Sequence, residues 1–294
     1  RIGVVSLVRV YPDDGSIKPH EMTFEGPRKN REEVMSGLGL IPEPIFLISP
    51  GNALMNALAR SIDKAREIYN FYQPRDVENT VFLLDSGKEM RDIMASVSGR
   101  IAIVADGHHR LAAIKELAKR YHGGWEYAMT YIASSDDPAL FISGIHRIVT
   151  LYQKKADVIG SLRKIVTVKE EKTWNPGKGI FLYSGGRFYS ISIKADDTTH
   201  QNEYINDPGL FVRRTILEEA CGMNKEEVEA GTIYSHDPDY AIKMVDDHRA
   251  SMAILMPDWD KKVFTEVVSS GRILSQKSTF FYPKPPSGIA IYRP

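Results

Sequence analysis

The five-residue segment Asp106-Gly107-His108-His109-Arg110 combines residue types that could bind a phosphate. An apolar run ends just before it and a helical pattern follows it, so we expect a buried strand to pass here into a helix. The first N–H groups of a helix lack internal partners, and the helix dipole favours an anion there. The glycine allows close approach to the backbone, and the two histidines and the arginine add donors. Asp106 is a candidate helix cap, and also a candidate partner for a hydroxyl or a metal. The alternative is a capped helix with solvated side chains.

A second segment, Lys18-Pro19-His20-Glu21, presents a carboxylate beside a cation and a histidine. The proline stiffens the segment, and a carboxylate held in this way could act as a general base. Taken alone, a solvated surface glutamate is the more common interpretation.

A third segment lies close to the end of the sequence. Two lysines, three hydroxyls and a glycine stand there among prolines that stiffen the chain, an arrangement that could surround a phosphate. The residues are Lys277, Ser278, Thr279, Lys284, Ser287 and Gly288. An ordinary polar loop is the alternative interpretation.

These segments must be positioned by strands and helices, which the hydrophobic pattern places as follows. Strands are predicted at 2–10, 44–49, 81–84, 101–105, 127–133, 144–150 and 253–256, with a hairpin of 180–183 and 188–193. Helices are predicted at 27–38, 53–69, 88–97, 109–121, 156–165, 210–221, 239–248 and 259–269. Residues 275–288 are predicted to form a loop. The pattern indicates an α/β fold with a small mixed or antiparallel sheet.

Composition excludes several classes of protein. The 294 residues carry 38 basic and 38 acidic side chains, and this balance argues against a nucleic-acid binder. No apolar run is long enough to span a bilayer, and one cysteine fits a reducing cytoplasm. Phosphate-loop, dinucleotide-binding, zinc-protease and nucleophile-elbow motifs are absent. The length predicts two domains, and the strand-like start at Arg1 suggests that an N-terminal segment is missing. No feature specifies an oligomeric state.

Together the three segments, with His146-Arg147 after an apolar stretch, resemble the bacterial and archaeal family catalogued as domain of unknown function 1015. The first two segments also resemble the free serine kinases called SerK, of the ParB/sulfiredoxin-like superfamily. The resemblance implies a ParB/sulfiredoxin-like catalytic domain over 1–150. It also implies a second α/β domain over 151–294, whose C-terminal loop returns to the active-site cleft.

The resemblance to the serine kinases implies a role for each candidate residue. Glu21 would take the proton from the hydroxyl of free L-serine, and Asp106 would assist that hydroxyl or hold Mg²⁺. ATP or ADP would donate the phosphoryl group and O-phosphoserine would form. Residues implied to bind phosphate or nucleotide are Gly107, His108, His109, Arg110, Lys277, Ser278, Thr279 and Lys284. Residues implied to bind the substrate are Lys18, His20 and Ser287.

Two other functions stay open at this point. A ParB-like, nucleotide-switched DNA-binding protein would need a basic helix-turn-helix region, and the sequence shows none. A non-catalytic sensor of a phosphorylated metabolite would keep the phosphate-binding turn and would not need Glu21.

Overall fold

The computed structural model describes residues 1–73, 77–85, 87–121, 123–150, 157–195 and 197–294. The chain forms two compact units that are interleaved along the sequence. The first contains Arg1–Leu140, Thr265–Ile273 and Pro283–Pro294, and the second contains Phe141–Phe264 and Leu274–Tyr282. The domain boundary predicted between residues 150 and 151 adjoins residues 151–156, which lie outside the described residues, and that division stays a prediction.

The first unit is built on a mixed five-stranded sheet in the order β1-β7-β3-β6-β2. The strands of the unit are β1 (Gly3–Arg9), β2 (Ile17–Lys18), β3 (Ile45–Ser49), β4 (Arg66–Tyr72), β5 (Glu78–Leu83), β6 (Ala102–Asp106) and β7 (Tyr127–Ser134). Strands β4 and β5 form a separate two-stranded sheet. Strands β2 and β6 are parallel, and β3 is antiparallel to β6. All five residues of β3 are buried, as a central strand requires.

Helices α1 to α4 lie wholly within the first unit, and α4 carries the phosphate-binding candidate. They are α1 (Glu25–Leu38), α2 (Ala53–Ser61), α3 (Lys88–Val97) and α4 (His108–Arg120). Helix α1 packs against α4, and α2 packs against α3. Leu111, Ile114 and Leu117 of α4 enter the core because their spacing places them on one helix face. The strand predicted at 101–105 and the helix predicted at 109–121 are confirmed within one residue at each end.

The helix predicted over 53–69 is wrong beyond residue 61. Helix α2 ends at Ser61, a 3-10 turn follows over Ile62–Lys64, and Arg66–Tyr72 is strand β4. Ile68 continues the helical spacing, but the segment is rich in aromatic residues that favour strands. Antiparallel pairing with β5 decides the outcome.

The last segment of the chain returns to the first unit. Tyr292 and Ile41 form an isolated antiparallel bridge, with N···O distances of 2.7 and 3.0 Å. Lys284 and Ser287 therefore belong to the same unit as β6 and α4.

The second unit is built on an antiparallel six-stranded sheet in the order β10-β12-β11-β14-β9-β13. A separate pair joins β15 to β8. The strands of the unit are β8 (Phe141–Ser143), β9 (His146–Val149), β10 (Thr167–Glu171), β11 (Ile180–Ser184), β12 (Arg187–Ser192), β13 (Thr232–Ser235), β14 (Met252–Leu255) and β15 (Phe280–Tyr282). The predicted hairpin is confirmed as β11 and β12. The loop predicted at 275–288 contains β15, since three consecutive aromatic residues there pair with β8.

The remaining helices include two that the hydrophobic pattern does not predict, over Thr198–Asn206 and Lys225–Gly231. The remaining helices are α5 (Val158–Ile165), α6 (Thr198–Asn206), α7 (Pro208–Phe211), α8 (Lys225–Gly231), α9 (Pro238–Asp246) and α10 (Lys261–Ser269). The helix predicted at 210–221 is α-helical only as far as Phe211 and continues as a π-helix over Val212–Ala220.

The mixed α/β class predicted from the sequence is confirmed. None of the helices described is long and apolar enough to cross a membrane. The cytoplasmic location stays a prediction.

Candidate active site

The parallel pairing of β2 with β6 brings two predicted segments to one edge of the sheet. Ile17 lies opposite Ala102 and Lys18 opposite Ile103, so both strands reach their carboxyl ends at the same edge. The chain continues side by side beyond β2, because the Nδ1 atom of His20 lies 2.6 Å from the carbonyl oxygen of Val104. The segment with Glu21 and the turn with Asp106 are therefore neighbours.

His20 and His108 contact each other at this edge of the sheet. The backbone N–H of His20 donates to Nε2 of His108 at 3.3 Å, and the two rings meet edge to face at 4.5 Å. Burial lowers the pKa of His20 well below 6.5, and the neighbouring His108 lowers it further. Burial also lowers the pKa of His108 to about 4, although Asp106 opposes the shift. Both rings are neutral at pH 7, so His108 brings no positive charge to a phosphate.

Glu21 lies at the rim of the site. Its side chain is 21% exposed, and Oε1 is 4.0 Å from Nε2 of the buried His20. The exposed apolar side chains of Met22 and Phe24 follow Glu21 in the sequence. Lys18 is half-buried at the end of β2. A ligand could reach the carboxylate of Glu21 without displacing the core.

Helix α4 begins at the second predicted segment, but its cap differs from the prediction. Gly107 is the N-cap, with φ at 96°, and no side chain caps the helix. The prediction that Asp106 caps α4 is therefore wrong, because its carboxylate bonds to side chains instead. The first N–H groups of α4 have no acceptor within the helix, so this end favours an anion. The ring of His109 lies near-parallel to that of Phe24, at 6.5 Å between centroids.

Asp106 is held by one cation on each carboxylate oxygen. Lys284 Nζ donates to Oδ1 at 2.5 Å, and Arg110 Nη2 donates to Oδ2 at 2.8 Å. Burial alone would raise the pKa of Asp106, but Lys284 and Arg110 outweigh it and hold that pKa below its ordinary value. The carboxylate is therefore ionised at neutral pH, in a fixed orientation.

Arg110 joins Asp106 to a second carboxylate. Its Nη1 atom donates to Oε2 of Glu43 and to the carbonyl oxygen of Pro44, both at 2.9 Å. The other oxygen of Glu43 accepts from Ser287 Oγ at 3.0 Å. Both terminal nitrogens of Arg110 thus contact protein oxygens, and its role in binding phosphate stays a prediction.

Glu43 is the site residue that sequence reasoning missed. It precedes β3, and β3 is antiparallel to β6 with Phe46 opposite Asp106, which brings Glu43 to the turn. The available signal was a charged residue between two prolines, Pro42 and Pro44, directly before a fully apolar strand.

The predicted C-terminal segment is divided between the two units. Lys284 and Ser287 lie at Asp106 and Glu43, whereas residues 277–279 belong to the second unit. There Lys277 is exposed and has φ at 56°. Ser278 is 2% exposed, and its hydroxyl donates to the carbonyl oxygen of Ser275 at 2.6 Å. Thr279 is also nearly buried.

A protein-only metal site does not fit these residues. Among the side chains that the structure describes, no group of three His, Cys, Asp or Glu could hold a metal ion. Both oxygens of Asp106, the predicted Mg²⁺ ligand, already bond to cationic side chains.

Comparisons with known proteins give a family and a fold. The family model described as "Protein of unknown function (DUF1015)" matches residues 1–215. The chain resembles a free serine kinase in complex with AMP, at 14% identity over 94% of this chain and 86% of that chain, with a TM-score of 0.50. It also resembles a glutamate-to-alanine variant of a free serine kinase in complex with ADP, at 14% identity over 96% and 88%, with a TM-score of 0.52. A third similar structure is SbnI with a C-terminal truncation from Staphylococcus aureus. It is 12% identical over 94% of this chain and 82% of that chain, with a TM-score of 0.50. No curated protein matches. At these identities the likeness shows the fold alone.

Proposed function

We propose an activity for this chain, which belongs to the family described as "Protein of unknown function (DUF1015)". The family model matches 215 of the 294 residues of the chain, and the description of the family names no activity. The protein is a nucleotide-dependent kinase. It transfers a phosphoryl group from ATP or ADP to the hydroxyl of free L-serine, or of a similar small hydroxylated metabolite. The product with serine is O-phosphoserine.

One observation carries the proposal. The parallel register of β2 and β6 places Glu21 at the same sheet edge as Asp106 and the start of α4. A carboxylate for the acceptor hydroxyl and N–H donors for a phosphate are the groups that phosphoryl transfer needs most. The fold supports the same activity, since two of the similar structures are of a free serine kinase, one in complex with AMP and one with ADP.

In the proposed reaction Glu21 takes the proton of the serine hydroxyl. A bond forms between that oxygen and the transferred phosphorus, and the bond from phosphorus to the leaving nucleotide oxygen breaks. The N–H groups from Gly107 to Arg110 and the ammonium of Lys284 stabilise the phosphate oxygens. Asp106, ionised and fixed, orients the acceptor.

The other predicted residues have supporting roles. His20 holds the segment of Glu21 against β6, and His108 accepts a hydrogen bond from it. Lys18 and Ser287 contribute to the binding of substrate. His109 contributes to the binding of nucleotide. Residues 277–279 keep their proposed role in phosphate binding, and a Lys277→Met variant tests the charged residue of this segment.

Mg²⁺ is the proposed companion of the nucleotide. When bound it neutralises charge on the nucleotide phosphates, with few or no protein ligands. The described residues hold no protein-only site for it, and no step of the proposed reaction runs through it.

The test compares wild-type protein with Glu21→Gln. Mass spectrometry follows O-phosphoserine formed from serine with ATP or with ADP, and calorimetry measures the affinity for each nucleotide. We expect the rate to fall by about 10²–10⁴-fold, the usual contribution of a general base. The nucleotide affinity stays within about twofold, because the phosphate contacts lie on another segment. Glu25→Gln is the matched control, since Glu25 is an exposed residue of α1 that pairs with Lys29.

Three outcomes contradict the proposal in different ways. Equal turnover by Glu21→Gln and wild type removes Glu21 as the base. Nucleotide binding without turnover of serine, threonine, glycerate or inositol supports a sensor. A change in nucleotide affinity on adding duplex DNA supports a DNA-associated protein.

A further inference from the structure

Glu43 lies at the centre of the polar network described above, although it belongs to none of the three segments that the sequence singles out. Its two oxygens contact two distant parts of the chain. Oε2 accepts from Arg110 at the start of α4, and Oε1 accepts from Ser287 near the end of the chain. The carboxylate is thus the common point of two segments that each contact Asp106.

The two cationic side chains that contact Asp106, those of Arg110 and Lys284, both depend on Glu43. Arg110 contacts Glu43 through Nη1 and Asp106 through Nη2. Because the guanidinium is planar and rigid, the contact of Nη1 with Glu43 fixes the direction of Nη2 towards Asp106. Lys284 lies three residues before Ser287, on the loop that Ser287 fastens to Glu43. We propose that Glu43 is a positioning residue, which orients Asp106 by holding Arg110 and the loop that carries Lys284. This inference rests on the proposed kinase function.

Exposure separates positioning from a general contribution to stability. The side chain of Glu43 is 43% exposed, whereas those of Arg110 and Asp106 are 17% and 32% exposed. An ion pair with one partner in solvent contributes little to folding. A fixed guanidinium with three contacts to protein oxygens, however, has one orientation. Glu43 therefore acts on the geometry of the site more than on the stability of the unit.

The packing at Gly107 makes that orientation matter. A Cβ atom at Gly107 would lie 3.1 Å from Nη2 and 3.2 Å from Nε of Arg110. The guanidinium thus lies directly against the start of α4, where the proposed phosphate donors are. A small displacement of Arg110 changes the orientation of Asp106 and the access to those donors together.

The experiment compares Glu43→Ala and Glu43→Gln with Glu33→Ala, a control at an exposed position of α1. For Glu43→Ala we expect kcat to fall by about 10–100-fold, the scale of a misplaced contact in a reacting site. Affinity for ADP also falls, by about tenfold or less, because the loop that carries Lys284 and access to the donors of α4 both depend on Glu43. Tm falls by less than about 3 °C. Glu43→Gln retains one oxygen acceptor and recovers part of kcat. Glu33→Ala behaves as wild type.

A second measurement does not depend on activity. Nitrogen-15 NMR of the arginine side chains, with Arg110 assigned by its loss in Arg110→Lys, reports rotation of the guanidinium. We expect slow rotation in wild type and fast rotation in Glu43→Ala. Slow rotation in both proteins overturns the inference, and so does a kcat for Glu43→Ala equal to that of Glu33→Ala. A wild type without kinase activity contradicts the proposed function instead, while the NMR comparison still decides whether Glu43 fixes Arg110.

Discussion

Lys277 and Lys284 are seven residues apart, yet their surroundings differ. Lys284 belongs to the first unit and donates to Asp106, with its side chain 46% exposed. Lys277 belongs to the second unit and is exposed, with a left-handed backbone. A partly exposed ammonium at the start of α4 can exchange a carboxylate oxygen for a phosphate oxygen. We therefore expect Lys284 to contribute to nucleotide binding.

Replacing Lys284 tests this expectation. Lys284→Met removes the charge and keeps most of the apolar stem, so the affinity for ADP should fall by about 10–100-fold, the effect of losing one hydrogen bond to a charged group. Titration calorimetry with ADP measures the change.

Two further lysine variants make the result specific. Lys29→Met removes an exposed lysine of α1 and should bind ADP as wild type does. Lys277→Met should weaken ADP binding to a similar extent only if the second unit contributes a phosphate contact. An unchanged affinity in Lys284→Met would remove Lys284 from the nucleotide site.

Among the elements, the junction of β6 with α4 depends on one glycine. Gly107 has φ at 96°, a conformation that other residues adopt only with strain. A side chain there would also press on the guanidinium of Arg110. The junction therefore combines a backbone requirement with a packing requirement.

The two requirements can be separated by two alanine variants. Gly107→Ala and Gly99→Ala both place alanine at positive φ, but a Cβ at Gly99 would meet no atom within 4 Å. Each should lower the free energy of unfolding by about 1–3 kcal/mol, as measured with urea. Only Gly107→Ala should also weaken ADP binding, by about tenfold or more. Equal ADP binding by the two variants would show that contact with Arg110 is unimportant.

The elements that the sequence predicted well are those with a strong local signal. Strand β6 and helix α4 could be placed within one residue because a buried apolar run meets a glycine and then a helical pattern. Strand β4 could not, because its pairing with β5 is decided by residues beyond it in the chain. The candidate site follows the same rule. Glu21 and Asp106 lie in recognisable segments, whereas Glu43 reaches Arg110 only through the pairing of β3 with β6.

In the whole molecule, buried histidines accept hydrogen bonds in both units. Nε2 of His108 accepts from His20, and Nδ1 of His146 accepts from the N–H of Met256 at 3.0 Å. Burial lowers the pKa of His108 and of His146 from 6.5 to about 4. Between these values the unfolded chain binds more protons than the folded chain, so stability falls as pH falls.

The free energy of unfolding should therefore decrease from pH 7 towards pH 4. Each of these two histidines contributes a loss on the order of 3 kcal/mol, since each pH unit between its two pKa values contributes about 1.4 kcal/mol. His20, whose pKa is also lowered, adds to the effect. Urea unfolding at several pH values measures the slope.

Variants at two histidines identify the source of that slope. His146→Gln keeps an acceptor but cannot be protonated, so its pH dependence should be weaker than that of wild type. His248→Asn changes an exposed histidine at φ 57° to a residue that tolerates this conformation, and should retain the wild-type slope. A His146→Gln protein with the full slope would place the acid sensitivity elsewhere.

The bridge between Ile41 and Tyr292 also sets an order of events during synthesis. The first unit includes Arg1–Leu140 and Pro283–Pro294, so its sheet emerges from the ribosome long before its last segment. At about 5–20 residues per second, the residues between these segments take roughly 7–28 s to translate. During that interval Lys284 cannot contact Asp106, Ser287 cannot contact Glu43, and Tyr292 cannot pair with Ile41. A nascent chain at this stage can form the sheet edge that carries Glu21, but the proposed site becomes complete only after residues 284–292 have left the ribosome.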